Sequence, residues 1–184
     1  KVGDFTSVVA SGDYADFQKI QSYLEELRVA DDIYEDGISL DPSEYHKYLG
    51  RVMYNRRNKM DPLWNFLVVA GFKNGKSFLG CVDLVGTTYE DSIMASGYGT
   101  YIAVPLLRKG YREDMNEEEA KDLLLTCMKV LYSRNTTAFD EIDITTVNES
   151  GVSISEPIRV RPEWQFQGFG NTAYRGNETE WARM

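Results

Sequence analysis

Asn74-Gly75 lies between two runs of strand-forming residues, Phe66 to Phe72 and Ser77 to Val85. Asn and Gly accept the positive φ angles of a two-residue turn whose twist matches the flanking strands, so the dipeptide closes a β-hairpin. Both arms are apolar, and such a hairpin is stable only when other elements cover it. This hairpin reads as the core of a sheet, and the remaining elements have to be placed around it.

Upstream, Phe5, Val8 and Val9 form a short strand-like stretch that ends at Ser11-Gly12-Asp13. Tyr14, Phe17, Ile20, Leu24 and Leu27 then recur at steps of three and four, which predicts an amphipathic helix capped by Ser11 or Asp13. Asp41-Pro42-Ser43-Glu44 places a capping acid, a first-turn proline and a third-position Glu ahead of a second helix lined by Tyr45, Tyr48, Leu49, Val52 and Met53. The polar stretch from Asp31-Asp32 to Ser39 reads as a surface loop between the two. Downstream, Ile93 to Ser96 predicts a short strand, and Tyr101 to Leu107 a helix with Pro105 in its first turn. Asn116 and Glu119 open a further helix with Ala120, Leu123, Leu124, Cys127, Met128 and Leu131 on one face. Ile142, Ile144 and Thr146 alternate with polar residues, Asn148 to Gly151 turns the chain, and Val152 and Ile154 return as a closing hairpin. Two helix pairs separating groups of antiparallel strands predict an α+β layered sandwich.

A length of 184 residues corresponds to one domain, and a net charge of −9 works against binding nucleic acid or an anionic membrane. No apolar run reaches the roughly 20 residues that span a bilayer. Cys81 and Cys127 are far apart with no CxxC spacing, which fits two buried thiols in a reducing compartment. There the sequon-like Asn135-Thr136-Thr137, Asn148-Glu149-Ser150 and Asn177-Glu178-Thr179 carry no meaning. The start at Lys1 on a strand-like run, without Met, reads as a fragment or a processed product.

His46 is the only histidine, so neither a His-based triad nor a His-rich metal site can be built from this chain; it reads as a surface helix residue. Glu117-Glu118-Glu119 and Asp31-Asp32 read as acids that complement a helix dipole rather than as cation ligands. Gly97-Tyr98-Gly99 reads as a turn, since the βαβ context of a phosphate loop is missing. No cofactor and no metal is expected.

Three segments carry a family resemblance: Ser11-Gly12-Asp13-Tyr14-Ala15-Asp16 at a strand-to-helix turn, the stretch from Tyr54 through Arg56-Arg57-Asn58-Lys59 to Pro62-Leu63-Trp64-Asn65, and Ala95-Ser96-Gly97-Tyr98-Gly99. Together they resemble β-type subunits of the eukaryotic 20S proteasome core particle, and among those a non-catalytic member. The resemblance implies the four-layer αββα sandwich of N-terminal-nucleophile hydrolases over residues 1–160, with the first strands missing ahead of Lys1, and a tail over residues 161–184. In active members the Thr nucleophile and its Asp and Lys partners belong to that missing segment. Three further positions of the catalytic network align with Tyr98, Asn135 and Ala138, where the family has Ser, Asp and Ser. Tyr, neutral Asn and Ala cannot hold an amine base or shuttle its proton. Gly12 aligns with the oxyanion-hole glycine, although a tight strand-to-helix turn also demands a small residue there.

The resemblance thus implies a subunit that contributes contacts to protein degradation by the complex, in the cytoplasm and nucleus. Its partners would be the other α and β subunits of a stacked four-ring particle, not nucleic acid or a membrane. The alternatives are an active threonine peptidase whose nucleophile lies in the missing segment, and a free-standing hydrolase relative. Arg56, Arg57 and Lys59 suit either the carbonyl end of their own helix or an acidic neighbouring subunit. Trp164, Phe166, Phe169, Tyr174 and Trp181 are spaced by polar residues and suit docking on another chain, which the family places in the opposite β ring. Trp64, directly ahead of the core strand, is expected in the core.

Overall fold

The structure is a computed structural model, described here for residues 1–34, 37, 39–135 and 139–161. Strand β1 (Thr6–Gly12) is followed by helices α1 (Tyr14–Asp32) and α2 (Pro42–Asn58), then by strands β2 (Asn65–Lys73), β3 (Lys76–Val82) and β4 (Thr88–Glu90). Helices α3 (Gly99–Gly110) and α4 (Glu117–Arg134) come next, and the short strands β5 (Glu141–Ile142), β6 (Thr145–Asn148), β7 (Gly151–Ile154) and β8 (Ile158–Arg159) close the described chain. The architecture is α+β with antiparallel sheets.

The four-stranded sheet runs in the order β1-β2-β3-β4. Its centre is the expected hairpin, with Lys73 opposite Lys76 and with Asn74 and Gly75 at φ 53° and 73°. Along β2, Leu67 and Val69 are buried while their neighbours are half-buried, so one face is the more deeply packed. That face meets Ile20 and Leu24 of α1 and Tyr45, Leu49 and Met53 of α2, with Leu63 and Val82 completing the core. The β6–β7 hairpin packs against β2 and β1, and Val152 N–H donates to Asp4 C=O at 3.0 Å.

Capping chemistry set the helix starts as the residues implied. Asp13 caps α1 and accepts from Asp16 N–H at 3.0 Å. Asn116 and Glu119 form a reciprocal capping box at α4, and at α2 Glu44 reaches back to accept from Asp41 N–H at 2.7 Å. Lys73 Nζ reaches across to the Ser39 carbonyl and to the Asp41 carboxylate, pinning the α2 N-terminus to the end of β2.

Several elements depart from the sequence reading. Helix α1 runs through Asp32, so Asp31-Asp32 belong to its last turn, at the carbonyl end where acids oppose the helix dipole rather than complement it; Asp31 instead accepts from Leu40 N–H at 3.0 Å and Asp32 lies 3.7 Å from Arg28. Strand β3 stops at Val82, because Asp83 accepts from Val85 N–H and Thr87 N–H and folds a tight turn around Gly86. The chain therefore returns as β4 at Thr88–Glu90, and Ile93–Ser96 is irregular. Helix α3 starts at Gly99, which places Pro105 in its interior; the ring sits on the exposed side. The expected strand around Ile142–Thr146 is broken between β5 and β6.

His46 is the clearest correction. It is 4% exposed rather than on the surface, its Nε2 lies 2.8 Å from the Cys81 carbonyl, and its ring meets Phe78 edge-on with centroids 5.3 Å apart. Gly80 makes room for it, since a Cβ there would meet the imidazole at 2.9 Å. A polar ring can be buried in this way only because the strand carbonyl satisfies it.

The thiols are buried as expected, and burial pushes both Cys81 and Cys127 above the ordinary thiol pKa. Cys127 joins Ala103 and Leu107 in a second, smaller cluster between α3 and α4, while the main core lies under α1 and α2. Truncating Leu49, fully buried in that main core, to Ala should therefore cost about 2–5 kcal/mol in urea unfolding, whereas Val9→Ala on the open face should stay within about 0.5 kcal/mol. Equal losses at the two positions would place the principal core elsewhere.

Candidate functional site

The turn from Ser11 to Asp16 is held by the residues that precede β2. Asp13 N–H donates to the Trp64 carbonyl at 2.9 Å, and Trp64 N–H donates to the Asp16 carboxylate at 2.8 Å. Asn65 Nδ2 donates to Asp13 C=O at 2.8 Å and to Ser11 C=O at 3.4 Å. Gly12 has φ +119°, and a Cβ there would overlap the Trp64 carbonyl oxygen. Both the backbone angle and the close approach demand glycine at this point. The structural reading of Gly12 is thus supported by geometry, and the three polar side chains around it are all tied to backbone groups.

Trp64 itself corrects the sequence reading. It is 63% exposed, and its neighbour Asn65 is the buried member of the pair. Strand pleat decides this: residues at alternate positions of β2 from Asn65 face the packed side, and Trp64 lies one step out of that phase. Asn65 Oδ1 is buried with no hydrogen-bond partner among the described residues.

Tyr98 occupies the N-cap of α3, 66% exposed and without a side-chain capping bond. Asn135 is the C-cap of α4, its N–H donating to Leu131 C=O at 2.8 Å. Gly110 approaches Leu123, and Ala103 and Leu107 meet Cys127, so α3 and α4 run antiparallel and carry Tyr98 and Asn135 to the same end of the pair. Ala138 lies outside the described residues, as do Trp164, Phe166, Phe169, Tyr174 and Trp181. Glu117, Glu118 and Glu119 form the first turn of α4, where Lys121 holds the Glu117 carboxyl below its usual pKa.

Of the three clustered cations, Arg56 is engaged within the chain, 2.8 Å from Asp61, with its Nε buried and unpartnered among the described residues. Arg57 lies over the Tyr54 ring at 5.7 Å, and Lys59 is the exposed C-cap of α2. A cavity of about 570 Å³ opens between α1 and the segment before β1, with Phe17, Leu24, Arg28, Asp31 and Tyr45 in its wall; Gly12, Tyr98 and Asn135 do not line it. Sequence reasoning passed over Asp16 as a clamp. Its signal was an acid at the third position of a helix whose N-cap is Asp13.

The same clamp yields a stability comparison. Gly12→Ala should unfold at clearly lower temperature than the parent, by about 1–3 kcal/mol, because the strained angle and the overlap act together. Trp64→Ala should cost less than the roughly 3–5 kcal/mol typical of a buried Trp. A Trp64→Ala loss as large as that of a core residue would show the indole to be buried.

Comparison with known proteins agrees with the residues. The family model described as Proteasome subunit matches residues 1–147. The chain is 45% identical to the proteasome subunit beta type-4 of Arabidopsis thaliana over 92% of its own length and 69% of that protein's. It is 49% identical to the beta type-4 subunit of Dictyostelium discoideum over 87% and 62%, and 34% identical to the beta type-7 subunit of Saccharomyces cerevisiae over 92% and 70%. The chain therefore belongs to the proteasome subunit family, as a β-type subunit similar to those named type-4 and, in yeast, type-7.

Proposed function

We propose that this chain is a non-catalytic structural β subunit of the 20S proteasome core particle, contributing ring contacts to protein degradation that other β subunits carry out. The observation that carries the reading is the Gly12 turn, where Asp13, Asp16 and Asn65 each serve a backbone partner instead of a proton-transfer chain. Tyr98 and Asn135, at the family's catalytic positions, offer neither a small hydroxyl nor a carboxylate. In this reading the complete protein is a four-layer αββα sandwich whose first strands precede Lys1, with residues 161–184 reaching another subunit. It sits in a β ring of a stacked four-ring particle in the cytoplasm and nucleus. Arg57 and Lys59 are the members of the cation cluster left to face a neighbour.

A covalent inhibitor directed at N-terminal Thr should label other β chains of the purified particle and leave this one unmodified. An adduct on this chain would establish the active-peptidase alternative. Truncation after Arg161 should leave the body folded and slow the joining of half-particles, since aromatic anchors dominate interface energies. Half-particles that join as fast with the truncated chain as with the full one would make the tail a passive extension.

A further inference from the structure

Residues 45–60 hold five of the chain's 20 Lys and Arg residues (Lys47, Arg51, Arg56, Arg57 and Lys59) and no Asp or Glu, in a protein with net charge −9. The structure puts this stretch on α2, whose opposite face carries Tyr45, Leu49 and Met53 into the core. Lys47 and Arg51 are one turn apart, with Tyr54 and Asn58 continuing the same exposed stripe and Arg57 folded onto the Tyr54 ring. Among the described residues Lys47, Arg51, Arg57 and Lys59 have no ion pair.

Three acids that flank the stretch are engaged elsewhere, while Glu26, whose charge acts on Tyr48, and Glu90 of β4 make no ion pair with it among the described residues. Glu44 accepts from Asp41 N–H at the start of α2, Asp61 pairs with Arg56, and Asp83 holds the turn before β4. An unneutralised cationic stripe on an acidic chain is complementary to a negatively charged surface. Tyr54 adds an aromatic platform, and Arg57 is already stacked on it, which reduces the side-chain freedom lost on docking.

We propose that the outer face of α2, from Lys47 through Arg51 and Arg57 to Lys59, docks an acidic protein segment of a neighbouring subunit. Its Asp or Glu side chains would be spaced about 6 Å apart to meet Lys47 and Arg51. This rests on the reading of the chain as a ring subunit. A protein partner is favoured over nucleic acid because the overall field of the chain repels a polyanion, whereas a short acidic segment meets only the local stripe.

The test uses core particles isolated from the source organism. A zero-length carbodiimide should join Lys47 or Lys59 to an Asp or Glu of another subunit. An amine-reactive reagent should acetylate both lysines at least about tenfold more slowly in the intact particle than in the unfolded chain, as for buried interface charges. Full-chain Lys47→Glu/Arg51→Glu, folded normally by circular dichroism, should lose against the parent chain in competition for incorporation. Particles that contain the chain but leave both lysines freely acetylated and uncross-linked would overturn the docking site while leaving ring membership intact. Slow acetylation that nuclease treatment abolishes would also overturn it, in favour of nucleic acid. A particle lacking the chain would overturn both readings.

Discussion

Helix α2 can lie directly on the β2–β3 hairpin only because the strands present almost nothing beneath it at two points. A side chain at Gly71 would overlap Pro42, and one at Gly80 would collide with His46. Close approach lets Leu49 and Met53 reach Leu67, Val69 and Val82, and it gives His46 a strand carbonyl to bond in place of water. Gly50 repeats the arrangement from the helix side, meeting Thr88 of β4. The rest of the core is continuous with this contact, since Ile20 and Leu24 of α1 pack in the same cluster as Leu49 and Met53.

Seating α2 also sets where its end points. The helix stops at Asn58, Met60 takes φ 55°, and Arg56 reaches Asp61 to hold the reversal. From there Trp64 and Asn65 enter β2 opposite Gly12, in a register that lets them grip the Ser11–Asp16 turn by four hydrogen bonds to backbone or carboxylate. Trp64 and Asn65 thereby fix the Ser11–Asp16 turn to the start of β2.

The buried and exposed faces of α2 therefore have separate duties. Its apolar side packs into the core of this chain, and on its outer side Lys47, Arg51, Arg57 and Lys59 make no ion pair among the described residues. Individually exposed charge pairs contribute little to stability, but several cations of one sign on one face orient an encounter and discriminate among neighbours. In the docking proposed above, that is how the stripe would select one neighbour among similar subunits.

Much of this was legible in the residues alone. Asn74-Gly75, the Asp41–Glu44 and Asn116–Glu119 pairs at the helix starts, and the three-and-four spacing of Phe17, Ile20 and Leu24 act over short distances, and each produced its element. The family segments from Ser11 and from Tyr54 identified the relationship that the comparisons bear out. What tertiary structure decided was which surface each residue meets. Whether His46 faced solvent depended on Gly80 lying under it 34 positions later, and whether Trp64 was buried depended on the phase of a strand starting one residue on. The end of β3 was likewise set by its pairing with β4 and by the carboxylate of Asp83 in the turn between them. Local sequence specifies local hydrogen bonds and periodicity, whereas burial is a property of two surfaces, and only the folded chain brings the second one into place.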